Sequence, residues 1–138
     1  MKTSKVTYLG ELRTEAVHLA SGNKIITDAP IDNEGKGEFF SPTDLAATSL
    51  ASCMFTIMGI SARNYGIKME GATAEVTKVM GTNPRRIVEI IIDFHFPNQY
   101  TDKEKKILQL AVDNCPVGKS VDPLLKQTIH LNFDGDNA

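Results

Sequence analysis

The sequence predicts an α+β domain. Three observations carry that prediction: strand-like, β-branched segments crowd the first thirty residues, two helices with clear start signals follow, and a pair of alternating strands lies between those helices. At 138 residues the chain suits a single domain, 1–138, long enough to bury a core. Hydrophobic residues at 41% and charged residues at 23% fit a globular protein. A net charge of -2 supplies no basic field, so neither a nucleic-acid nor an anionic-membrane partner is expected.

"KVTYLG", "RTEAVHLA" and "NKIITDA" read as strands, with "SGN" at 21–23 as a hairpin turn. "DNEGKGEFF" carries two glycines and mixed charge and reads as a mobile loop. Ser41 is then a good N-cap, Pro42 suits the first helical position, and Asp44 falls where a capping box needs an acceptor. The helix runs to Arg63 and Asn64, with Gly66 placed to end it. Ala46, Ala47, Leu50, Cys53, Met54, Ile57 and Ile60 cover more than one stripe, and Ala51 and Phe55 widen it. That pattern predicts a long helix, about 42–64, buried on most sides. Thr48, Ser49, Ser52, Thr56 and Gly59 interrupt it, against a membrane span.

"ATAEVTKVM" and "RRIVEIIIDFHF" alternate as strands, the second with Val88, Ile90, Ile92, Phe94 and Phe96 on one face. "TNPRR" is the turn between them. A second helix opens at "TDKE" with Thr101 and Glu104 as a capping box, and Ile107, Leu108, Ala111 and Cys115 recur at helical spacing. Pro116 breaks that helix, and "PVGKS" restarts a short one with Cys115 at or near its N-cap. "KQTIHLNF" closes the chain as an edge strand with Ile129, Leu131 and Phe133 inward.

The chemistry rests on two cysteines separated by 62 positions. A cysteine among small apolar residues packs as a small hydrophobe, and Cys53 has that setting. Cys115, at a helix N-terminus, sits where backbone N–H groups favour thiolate. If their helices pack together, the two thiols could meet as a redox pair. The first residues lack the long apolar stretch of a signal peptide, so a reducing, cytoplasmic location is expected, where a structural disulfide is out of place. There is no C-x-x-C, no H-E-x-x-H, no phosphate-binding glycine loop and no G-x-S-x-G elbow. His18, His95 and His130 are scattered singly on strands, so no metal is expected.

Pro42 near the start of a small-residue helix, Cys53 eleven positions later and the distant "CPVGKS" together resemble the OsmC/Ohr family. The matched order of elements runs from "KVTYLG" to "TIHLNF", and the chain looks more like the broad OsmC-like branch than its well-defined peroxidases. The resemblance implies an intertwined homodimer with two active sites near the subunit interface, and thiol-dependent reduction of organic hydroperoxides in oxidative-stress defence. It implies that Cys53 attacks the O–O bond and becomes a sulfenic acid. Cys115 then condenses with it to a disulfide, and an external dithiol, the only co-reactant expected, reduces that disulfide. An arginine offsets the thiolate in this family, held by a carboxylate following the helix-initiating proline. Here Thr43 follows Pro42, and Asp44, one residue on, turns about 100° away and reads as the capping residue. Arg13 is the candidate cation and Lys36 the substitute. The alternative is a non-catalytic dimer binding an apolar small molecule in the interface pocket; the electrostatic partner of Cys53 discriminates the two.

Overall fold

A computed structural model describes residues 1–137, and the chain divides after Ala46 into two compact units. The first is an antiparallel meander, β1 (Ser4–Gly10), β2 (Arg13–His18) and β3 (Lys24–Asp28), with β2 in the middle. Glu11 and Leu12, both at positive φ, make the tight turn between β1 and β2. Around the second turn the register pairs Val17 with Lys24, Thr14 with Thr27 and Arg13 with Asp28. Val6, Tyr8, Leu9, Leu12 and Ile25 remain exposed, so this unit leaves much of its apolar surface uncovered within one chain.

The glycine loop, expected from its composition to be mobile, carries a turn and internal hydrogen bonds. A 3₁₀ turn, Ile31–Asn33, opens it, and Gly35 N–H and Gly37 N–H donate to the carbonyls of Pro30 and Ala29. Asp28 N–H donates to Phe40 O at 3.1 Å, tying the loop's far end to β3. Gly35 is required here, since a Cβ at that position would lie 1.8 Å from the Ala29 carbonyl oxygen.

Helix α1 (Pro42–Tyr65) starts with the expected capping box. Asp44 N–H donates to Ser41 Oγ at 3.0 Å, and Ser41 N–H donates to Asp44 Oδ2 at 2.9 Å. It ends in a Schellman arrangement, with Gly66 at φ 68° and Ile67 N–H donating to Ala62 O. Within the chain, α1 buries a single stripe, Ala47, Leu50, Ala51, Met54, Met58 and Ala62, instead of most of its circumference. Ala46 and Ile60, expected inside, are exposed, whereas Met58 and Ala62 are buried. By length and composition α1 could cross a membrane, but its Leu50, Met54 and Met58 are core residues.

The second unit packs that stripe on a sheet of β4 (Thr73–Gly81), β5 (Arg86–His95) and β6 (Lys126–Asn132), with β5 central. β4 and β5 are antiparallel; β5 and β6 are parallel, and α2 (Asp102–Asp113) and α3 (Pro116–Ser120) form the crossover that parallel pairing needs. Ile90, Ile92, Phe94 and Phe96 alternate into the core as expected. Phe55 on α1 meets Phe94 edge-on at 4.8 Å between ring centres, and Phe133 stacks on Phe96 at 5.2 Å. Val88 departs from the alternation. A bulge opposite Val79 and Met80 shifts the register, so Ile87 packs on the core and Val88 sits over Gly81.

Candidate active site

Cys53 projects from α1 beside the buried stripe and is half-buried, packed against the core cluster. Cys115 arrives from the other direction. The capping box at Thr101 and Glu104 starts α2, which buries Leu108, Ala111 and Val112. The helix ends at Asn114, and Pro116, with no N–H to give, serves as the first residue of α3. Cys115 is thereby left between the two helices as the N-cap of α3, 1% exposed, its Sγ accepting from Gly118 N–H at 3.5 Å.

The fold brings the two thiols together. Both are free, and Cys53 lies close enough to act on Cys115 through a side-chain hydrogen bond and through charge repulsion. Burial pushes the Cys115 thiol up from its ordinary range, Cys53 adds to the rise, and the Gly118 N–H only partly opposes it. The thiolate expected from a helix N-terminus is therefore outweighed at Cys115. A five-residue helix has a small dipole, and the desolvation of a 1%-exposed sulfur exceeds it. A neutral, buried thiol near a half-buried one can condense with an oxidised sulfur on its neighbour while staying shielded from oxidants itself.

Arg13 opens β2 in the first unit, where Asp28 on β3 grips it with two charge-assisted bonds, Nε to Oδ1 at 2.7 Å and Nη2 to Oδ2 at 2.8 Å. Glu38 lies 3.5 Å from the same guanidinium, which also stacks over Phe39 at 4.9 Å. Asp28 is 1% exposed and takes a further bond from Glu38 N–H at 3.1 Å. The Arg13 bonds hold its carboxyl below the ordinary carboxylate range, against the opposing effect of burial, and the charge of nearby Lys36 pulls the same way. Asp28 likewise keeps the Arg13 guanidinium charged.

Asp28 is the residue that sequence reasoning missed. Counting outward from the β2–β3 turn places it directly across from Arg13, so the hairpin register was a usable signal. Thr43 hydrogen-bonds Ser41 Oγ at 3.2 Å, and Asp44 occupies the cap. Among the histidines, His18 pairs with Ser21 at 2.6 Å. His95 is engaged at both ring nitrogens, by Asp134 at 2.8 Å and Glu75 at 3.2 Å, with its pKa raised chiefly by the Asp134 bond.

Comparison with known proteins gives a consistent picture. The family model described as OsmC-like protein matches residues 35–130. A Psychrobacter arcticus 273-4 protein, named for osmotic-stress induction and a detoxification response, is 57% identical, superposes with a TM-score of 0.93, and matches over 96% of each chain. An organic hydroperoxide resistance protein OsmC from Legionella pneumophila shares the fold at 15% identity and a TM-score of 0.72, over 96% of this chain and 98% of that one. A Vibrio cholerae protein, solved with captopril in one of its active sites, does so at 15% identity and 0.74, over 96% and 92%. No curated protein sequence matches the chain.

Proposed function

Because the chain belongs to the OsmC-like family, we propose that it is a thiol-dependent peroxidase reducing organic hydroperoxides through Cys53 and Cys115. The observation that supports this reading is a half-buried Cys53 near enough to a buried Cys115 to raise its pKa. Cys53 is the accessible member of the pair and is the attacking sulfur. As thiolate it displaces alkoxide from the O–O bond, which leaves as alcohol, and the sulfur becomes a sulfenic acid. The Cys115 sulfur then attacks the Cys53 sulfur, water departs, and a disulfide forms, so one hydroperoxide consumes two thiols. An external dithiol in a reducing, cytoplasmic setting returns the pair to thiols.

Arg13 is the cation assigned to the Cys53 thiolate, and Asp28 takes the holding role that Thr43 cannot fill. The chain acts as a homodimer, in which a second copy covers the exposed apolar residues of β1–β3, such as Val6, Tyr8 and Ile25. One equivalent of cumene hydroperoxide added to reduced protein should remove both thiols and yield an intramolecular disulfide. In Cys115→Ser, oxidation should stop at a sulfenic acid trapped by dimedone. If Cys53→Ser consumes peroxide at the original rate, the assignment is wrong, and an unchanged thiol count in the wild type would leave a binder of apolar small molecules.

A further inference from the structure

A cavity of about 530 Å³ opens beside α2, α3 and β6 in the second unit, a size that suits a small-molecule ligand. Two opposite charges face it, Asp113 from the end of α2 and Lys119 from the last turn of α3. Among the described residues these two form no ion pair with each other, and the Lys119 ammonium has no partner. Gln109 donates to one Asp113 carboxylate oxygen at 3.1 Å and leaves the other open. Gln127, on β6, is held at the wall by donating to Gly118 O at 3.0 Å. Met54 and Ile129 add apolar surface to the same cavity.

Asp113 is in an awkward place for a purely structural residue. It ends α2, whose last turn has no basic residue, so its charge adds to the negative end of the helix dipole. Locally unfavourable choices of this kind gather where a site needs the group. A bound cation would relieve this one. Lys119, six positions further along, would meet the anion of the same ligand.

We propose that this cavity binds a small zwitterion, an α-amino acid with an unbranched apolar side chain. Its ammonium group pairs with the open Asp113 oxygen, its carboxylate pairs with Lys119, and its side chain lies on Met54 and Ile129. Gln109 and Gln127 offer amide groups beside the two charged ends. A ligand with both charges satisfies both walls, whereas a simple amine or carboxylate leaves one protein charge unmatched. The site does not depend on the peroxidase reading, and it needs no access to the Cys115 sulfur, which stays buried. Asp113 and Lys119 are exposed, so each pairing is weak and the Kd should be on the order of 1 mM.

The probe is L-norleucine, titrated at neutral pH into isotope-labelled protein and followed through the backbone amide shifts by NMR. The amides of Gly118, Lys119 and Gln127 should shift and saturate. Pentylamine, which lacks the carboxylate, and hexanoate, which lacks the amine, should each bind at least about fivefold more weakly. Lys119→Gln and Asp113→Asn should each weaken norleucine by a similar factor. Lys106→Gln, on α2 but outside the cavity, should bind as the wild type does. No saturable shift at about 20 mM norleucine overturns the proposal. So does pentylamine or hexanoate binding as tightly as the zwitterion, or full affinity in either cavity variant. Equal weakening by Lys106→Gln and Lys119→Gln also overturns it, since binding would then follow net charge alone.

Discussion

Removing the cap of α1 separates two roles that Asp44 could have. Ser41 is 1% exposed and its hydroxyl accepts from Asp44 N–H at 3.0 Å, while the Asp44 carboxylate accepts from Ser41 N–H at 2.9 Å. Loss of such a cap costs about 0.5–2 kcal/mol. Water does not readily reach a site this buried to replace the lost partner, so Ser41→Ala belongs in the upper half of that range, about 1–2 kcal/mol. For a chain of 138 residues, each kcal/mol lowers the melting temperature by about 3–4 °C, so the fall should be about 3–8 °C. Asp44→Ala removes the reciprocal bond and a favourable negative charge at the helix N-terminus, worth about 0.3–1 kcal/mol more. Thermal melts by circular dichroism, paired with initial rates of cumene hydroperoxide consumption on the folded variants, make the comparison. Both variants should melt earlier and retain their rate of peroxide reduction. An Asp44→Ala protein that melts like the wild type and no longer reduces peroxide would refute the reasoning, because the carboxylate would then serve Cys53 rather than the cap.

Leu108→Ala should cost about 2–5 kcal/mol in urea titrations, since Leu108 is fully buried at the centre of the second unit. Arg13→Ala should cut peroxide reduction at least about tenfold with the fold intact; an unchanged rate would remove Arg13 from the site. Asp28 has a depressed folded-state pKa, so its pairing stabilises the protein above the ordinary carboxylate range and is lost as pH falls through the folded value. The urea-midpoint gap between wild type and Asp28→Asn should therefore be wide at pH 7 and narrow below about pH 4. His95 behaves in the opposite sense. Its raised pKa gives stability that is full below about pH 6.5 and lost as pH rises through the folded value, so the gap to His95→Gln should close in alkaline buffer.

Local signals in the sequence account for the elements and their ends. Ser41 with Asp44, Thr101 with Glu104, Gly66 and Pro116 each act within one turn of the chain, and the structure uses each as read. What was not legible depends on partners distant in sequence. The bulge that turns Val88 away from the core arises from pairing with β4, and α1 buries only the stripe that the β4–β6 sheet can cover within one chain. The two cysteines were visible as residues, but which effect governs Cys115 was not. A helix N-terminus can be read from "CPVGKS", whereas the burial that outweighs it requires α2 and the sheet to be in place. Arg13 was found as a charge; its bidentate lock on Asp28 could have been counted out from the hairpin turn and was missed.

The parallel pairing of β5 with β6 puts Cys115 inside the crossover that links them, and this fixes an order of events during synthesis. Cys53 leaves the ribosome 62 residues ahead of Cys115, a lead of roughly 3–12 s at about 5–20 residues per second. The crossover cannot dock until β6 has followed it out. A growing chain thus carries Cys53 before the thiol that would retire its sulfenic acid has been made, so the proposed redox pair exists only in the finished fold.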